Sequence, residues 1–234
     1  RLRSRGLGDV YKRQLGAKKV GMTRDELIEA SGIGNSGDLS TKLDELESCG
    51  FIRKYYAFGM KKKNAVYQLI DCFTLFHFKF LQAAPTDEHF WSNQINTPRV
   101  NTWLGLAFER VCMEHVAQIK QKLGISGVLT EVNSWYCKAD PDKGVFGSQI
   151  DMLITRKDQV INLCEMKYSG SEYTVTEKVE RSIRNKMHDL VQITGTKYAV
   201  HPTLVTTYGL VENSYAANIQ SVVVMDDLFV PDWK

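Results

Sequence analysis

The chain lacks several things that would have classified it quickly. No apolar run is long enough to span a bilayer, and no stretch has the layout of a signal peptide, so a membrane partner is not expected. The five cysteines, at 49, 72, 112, 137 and 164, are odd in number, scattered and never spaced CxxC. That pattern argues against a disulfide framework and a structural zinc site, and for a reducing, cytoplasmic setting. The five histidines show no metal-ligand spacing and read as surface or packing residues. No GxxxxGK[ST] loop occurs. Gly32-Ile-Gly34-Asn-Ser-Gly37 has the GxGxxG spacing, but it follows a helical pattern rather than a strand and opens no βαβ unit. The chain as given therefore carries no recognisable nucleotide loop.

What is present fits an ordinary globular chain of 234 residues, 43% hydrophobic and 24% charged, long enough for one large domain or two small ones. A net charge of +3 is only a weak pull toward an anionic partner. Residues 1–15 match nothing downstream. Five of the first fourteen, RLRSRGLGDVYKRQ, are Arg or Lys, with no apolar period and no cap. They resemble the spurious or disordered leader of a translated sequencing assembly, with a real basic tail binding nucleic acid as the alternative, and are set outside the fold. On the first reading the natural protein would extend further upstream.

Residues 16–70 form a module. Thr23-Arg-Asp-Glu26 is a capping box opening a helix, and Gly32 to Ser36 turns the chain. A second helix carries Leu39, Leu43 and Leu46 on one face and stops at Gly50. FIRKYYAF and AVYQLI then flank the basic tip GMKKKN. Helix, turn, helix and hairpin is the winged-helix order. Lys42 on the second helix, and Lys61, Lys62 and Lys63 on the wing, would contact phosphates of a nucleic acid; the same module elsewhere serves as a spacer or protein contact. Residues 71–100 read as a connecting helix, CFTLFHFKFLQ, and a loop ending at a Thr97 cap and a first-turn Pro98.

From 101 to 234 the patterns run helix, three strands, helix, two strands, an αβββαβ order with a central mixed sheet. Residues 149–167, QIDMLITRKDQVINLCEMK, are two apolar strands around a polar turn, interrupted by Asp151, Glu165 and Lys167. An unpaired buried charge costs several kcal/mol, roughly, so three charges in such strands call for a reason. Glu165 and Lys167, two apart, share a strand face. Two carboxylates drawn together need a cation between them, and a hard divalent ion with oxygen ligands answers that need. A lysine beside them can orient water or offset charge on phosphorus. Strand parity sets a condition. If Asp151 is to share a face with Glu165, paired positions must sum to an even number, which requires an odd-length turn or a one-residue bulge.

Asp151, Glu165-Met166-Lys167 and, on the first helix, Glu109 in GLAFERVC resemble the PD-(D/E)XK nuclease-like superfamily, the fold of restriction endonucleases and archaeal Holliday-junction resolvases. The usual proline before the aspartate is replaced by Ile150. The resemblance implies Mg²⁺ (or Mn²⁺) held by Asp151, Glu165 and the Met166 carbonyl, water positioned by Lys167, and Glu109 as an auxiliary ligand. Lys186, close to the stripe of Val179, Ile183, Leu190 and Val191, reads either as a phosphate contact or as a packing lysine with its head in water.

The segments FERVC, LGISGV, QIDMLI, INLCEMK, LVTTYGL and VMDDLF resemble the C-terminal region of a bacterial and archaeal family of AAA-type ATPases. In that family a P-loop module precedes a winged helix and a nuclease-like domain; that module is missing from this chain. Three functions are thus expected to compete. They are a metal-dependent DNA nuclease, an inactive DNA-binding or regulatory module of such an ATPase, and a nuclease acting on RNA. A charged cluster with a purely structural role stands beside them.

Overall fold

The computed structural model describes residues 4–34, 37–56, 58, 65–82 and 87–231. They fall into two compact units, Arg1–Trp103 and Leu104–Lys234. Among the described residues no helix is long and apolar enough to cross a membrane.

The first unit opens with α1 (Ser4–Ala17), a helix within the stretch that the sequence patterns set outside the fold. Tyr11 and Leu15, four apart and so on one helical face, are each 1% exposed in a core shared with Leu27, Leu39, Leu43 and Ile52. After β1 (Met22–Thr23) comes α2 (Arg24–Ser31), opened by the expected capping box. The Glu26 carboxylate accepts from the Thr23 N–H at 2.8 Å, and Thr23 Oγ1 accepts from the Glu26 N–H at 3.3 Å. In α3 (Gly37–Ser48) Leu39, Leu43 and Leu46 are the buried residues, each such side chain stabilising the fold by roughly 1.5–3 kcal/mol. Strands β2 (Ile52–Tyr55) and β3 (Val66–Leu69) pair antiparallel with Ile52 opposite Leu69, and β1 flanks β3. Gly21, at φ +81°, is required where the chain enters β1: a Cβ there would lie 2.3 Å from the Tyr67 carbonyl oxygen.

The segment from 71 is capped by Asp71, whose carboxylate accepts from the Thr74 N–H at 2.6 Å. Helix α4 (Cys72–Phe76) continues as one wide turn, His77–Leu81. The expected loop beyond contains a short helix, α5 (Phe90–Gln94), because Trp91 packs edge-to-face on Phe76, Phe80 and Trp103. Pro98 opens α6 (Pro98–Glu114), and Thr97 Oγ1 accepts from the Val100 N–H at 3.3 Å.

In the second unit the long helix expected from 102 to 124 breaks at His115, whose Nδ1 lies 2.7 Å from the Val111 carbonyl; α7 (Val116–Lys122) resumes it. The strands β4 (Thr130–Cys137), β5 (Ser148–Arg156), β6 (Val160–Lys167), β7 (Ala199–Thr206) and β8 (Ser221–Val224) form one mixed sheet in chain order. β4 and β6 each pair antiparallel with β5, and β6, β7 and β8 run parallel, with α8 (Glu177–Thr194) as the crossover from β6 to β7. One sheet face packs Met152, Ile154, Cys164, Met166 and Val205 against Phe108, Cys112 and Ile119 of α6 and α7. The other packs Leu204 against Val175, Ile183 and Met187. This is a mixed α/β architecture in the αβββαβ order expected.

Candidate functional site

The turn between β5 and β6 sets the site. Lys157, Asp158 and Gln159 form a three-residue connection, closed by Gln159 at φ +66° and by its N–H donating to the Arg156 carbonyl at 3.2 Å. The guanidinium of Arg156 braces it by pairing with Asp158. Three is odd, so the ladder pairs Thr155 with Ile161, Ile154 with Asn162, Leu153 with Leu163 and Met152 with Cys164, every sum being 316. That is the even register the parity argument requires. It puts Leu163, Glu165 and Lys167 on the α8 face, since their neighbours Cys164 and Met166 face α6.

A second irregularity falls on Asp151 itself. Against β4 the pairing shifts between Asn133–Leu153 and Trp135–Ile150, so Asp151 and Met152 together oppose the single residue Ser134. The alternation changes phase there. Ser148 meets α8, whereas Met152 and Ile154, of the same parity, face α6. Parity therefore does not carry Asp151 onto the face of Glu165. Its Oδ1 accepts from Gln149 Nε2 at 2.8 Å. The expected irregularity was an odd-length turn or a bulge between the turn and Asp151. The structure has an odd turn and, in addition, a bulge at the aspartate.

Glu165 is the centre of the cluster. Its side chain is 13% exposed, with Lys167 Nζ 2.7 Å from Oε1 and Lys186 Nζ, from α8, 2.6 Å from Oε2. Burial pushes the Glu165 carboxyl up, but the two ammoniums outweigh it and hold the group below the usual carboxylate range. Burial likewise pushes Lys167 down, and Glu165, followed by Tyr173 and Glu109, reverses this and raises it. Lys186 is thus paired with Glu165 across the sheet face. Glu109, on α6, belongs to the helix over the opposite sheet face, and it reaches the cluster as a charge felt by Lys167. The neighbouring thiol of Cys164, fully buried, is pushed up to about 12 by burial and by Glu165, so it offers no nucleophile.

The donors suit a hard divalent ion: the carboxylates of Glu165 and Asp151 and the Met166 carbonyl are all oxygens, and Mg²⁺ is commonly held by one or two carboxylates with water. The arrangement is a compensated one, however, with both Glu165 oxygens taken by ammoniums. Among the described residues no group of three or more His, Cys, Asp and Glu side chains could hold a metal ion. The residues fit such an ion by donor chemistry, provided Oε2 of Glu165 is released.

Two residues escaped the sequence. Asp189 of α8, 0% exposed, accepts from Ser148 Oγ at 2.5 Å and from the Phe146 N–H at 3.0 Å, with Cys137 Sγ 3.8 Å away. It ties α8 to the end of β4 and the start of β5, one helical turn from Lys186. An acidic residue inside an apolar stripe, next to Leu190, was the available signal. Tyr173, close enough to affect Lys167, is fixed by its N–H donating to the Gly209 carbonyl at 2.8 Å and by its own carbonyl accepting from Val211 at 3.1 Å. A loop tyrosine gave no signal at all.

In the first unit, Lys42 is paired with Glu45 at 2.6 Å, and Ser40 accepts from Arg24 at 2.8 Å, so this face of α3 is largely satisfied within the protein. Lys61, Lys62 and Lys63 lie outside the described residues.

The chain is thus a mixed α/β protein whose second unit carries a half-buried glutamate held by two lysines. The DUF234 family, described as archaeal and bacterial proteins of unknown function, matches residues 77–183, a stretch that includes Glu109, Asp151, Glu165 and Lys167 and stops short of Lys186. No curated protein matches. Among solved structures, the crystal structure of a protein of unknown function, AF1548, matches with 13% identity over 50% of this chain, at a TM-score of 0.35. This chain spans 64% of the length of that one.

Proposed function

We propose that the second unit is a metal-dependent phosphodiesterase of the PD-(D/E)XK kind, acting on DNA. The supporting observation is the pairing of Glu165 with Lys167 at 2.7 Å on one strand face, with Asp151 on the adjacent strand at a bulge. Bulges gather where a side chain must be re-aimed at a site. Bound at Asp151, Glu165 and the Met166 carbonyl, Mg²⁺ or Mn²⁺ would supply Lewis-acid stabilisation of the phosphoryl oxygens. Lys167, its pKa raised, stays protonated at neutral pH and offers its N–H bonds to the attacking water and the phosphate. Glu109 adds negative charge that favours the protonated form of Lys167. The resemblance to ATPase-associated proteins suggests an ATPase module as partner, with RNA as the alternative nucleic acid.

One observation favours a second reading. With both oxygens of Glu165 neutralised by ammoniums, the cluster is stable without any ion, as a nuclease frame kept as a DNA-binding or regulatory module would be. Cleavage of plasmid DNA separates the two. The first reading expects nicking with Mn²⁺ or Mg²⁺, its loss in EDTA, and a rate lowered in Lys167→Ala at unchanged metal affinity. Equal rates in wild type and Lys167→Ala remove the role given to the lysine, and absence of cleavage with every metal favours the second reading.

A further inference from the structure

Lys186 stands where a cation on Glu165 Oε2 would stand, and α8 holds it there from two sides. One turn further along, the buried Asp189 is bonded to Ser148 Oγ at 2.5 Å and to the Phe146 N–H at 3.0 Å, which fixes the helix over the start of β5. One turn earlier, Ile183 is 5% exposed in the core with Val175 and Leu204. Between these anchors the Lys186 side chain, 16% exposed, can reach Glu165 but has little freedom elsewhere. Lys167 bonds the other oxygen from the same strand, so the two ammoniums divide the carboxylate, one oxygen each.

We propose that Lys186 is a built-in competitor of the divalent ion: its ammonium occupies the cation position on Glu165, and an ion binds only by displacing it. This rests on the metal-dependent reading above and deepens it, by giving Lys186 the role of setting how much metal the site requires. The physical basis is ordinary competition. A carboxylate oxygen 2.6 Å from an ammonium is not free to ligate. Removing that ammonium leaves Glu165 with one cation instead of two, in a poorly hydrated place where a compensating charge is strongly favoured. Lys167 is a poorer candidate for displacement, because it shares the strand of Glu165 and bonds its carboxylate at 2.7 Å, with its charge further favoured by Tyr173 and Glu109.

The test is Mn²⁺ binding to the whole chain at neutral pH, followed by the loss of the free-ion electron paramagnetic resonance signal. Thermal unfolding with and without Mn²⁺ is the second readout. Lys186→Met keeps the stem and removes the charge; it should bind Mn²⁺ on the order of tenfold more tightly than wild type. Its unfolding temperature without metal should fall, and the rise on adding Mn²⁺ should exceed that of wild type. Lys186→Gln provides the same comparison with a polar stem should the methionine variant not fold, and Lys186→Arg, which keeps the charge, should stay near wild type. Wild type that binds Mn²⁺ while Lys186→Met and Lys186→Gln bind it equally or less tightly overturns the competitor role and leaves the metal site standing. No binding by wild type or by any variant overturns both.

Discussion

Asp189 shows what a single residue does for this site without belonging to it. A fully buried carboxylate is tolerated because three donors surround it, and leaving such a group or its partners unsatisfied costs about 1–3 kcal/mol. Burial pushes its pKa up, yet the Ser148 hydroxyl, the Phe146 amide and His188 outweigh burial and bring it below the ordinary value. The sign follows: a group with a depressed folded pKa adds stability that is complete above the unfolded pKa, roughly 3.9, and is lost as pH falls through the folded value. Asp189→Asn should therefore destabilise the second unit by about 1–3 kcal/mol at pH 7 in urea unfolding, and by progressively less below about pH 4. A difference that stays constant into acid would mean that the charge on Asp189 contributes nothing. The same residue locates Lys186, so the anchor and the ion pair on α8 form one device.

At the scale of elements, the β5–β6 hairpin decides which side chains meet. Gln159 adopts a left-handed conformation that glycine takes without strain, at φ +66°. Gln159→Gly should raise stability by about 0.5 kcal/mol, and Gln159→Val should lower it by about 1 kcal/mol, with metal binding unchanged in both. A loss of stability in Gln159→Gly together with a gain in Gln159→Val would mean that the turn is not held this way. Much of the element order was legible beforehand, because its signals are local. The Thr23–Glu26 box, the Leu39–Leu43–Leu46 stripe, Pro98 and the alternation on either side of residues 156–159 each act within a few residues. The parity rule demanded an irregular hairpin, and the three-residue turn supplied it. The bulge at Asp151 was not legible at its true place, because it arises from pairing with β4, some twenty residues away in sequence, and nothing in QIDML marks it. Helix α1 was missed for the opposite reason: a pair as sparse as Tyr11 and Leu15 looks like noise until the core it enters is known. The break at His115 is a change of backbone angles at one residue, φ −111° and ψ 32°, which periodicity does not register.

For the whole molecule, the function rests on whether these two units handle nucleic acid and whether the second binds a metal. Neutralising Lys61, Lys62 and Lys63 together should reduce the slope of log affinity against log salt for DNA by up to about three units if each contacts a phosphate. An unchanged slope assigns the first unit to protein contact instead, a role for which the internally paired Lys42 leaves room. The central claim, that Asp151 and Glu165 together hold a divalent ion, is tested most directly by calorimetric titration of Mn²⁺ into the wild-type chain and into Asp151→Asn. The account predicts a single saturable site in the wild type, weakened at least about tenfold in the variant, since a carboxylate ligand is replaced by a neutral amide. Saturable binding of equal affinity in both proteins would contradict it, and so would the absence of binding in the wild type.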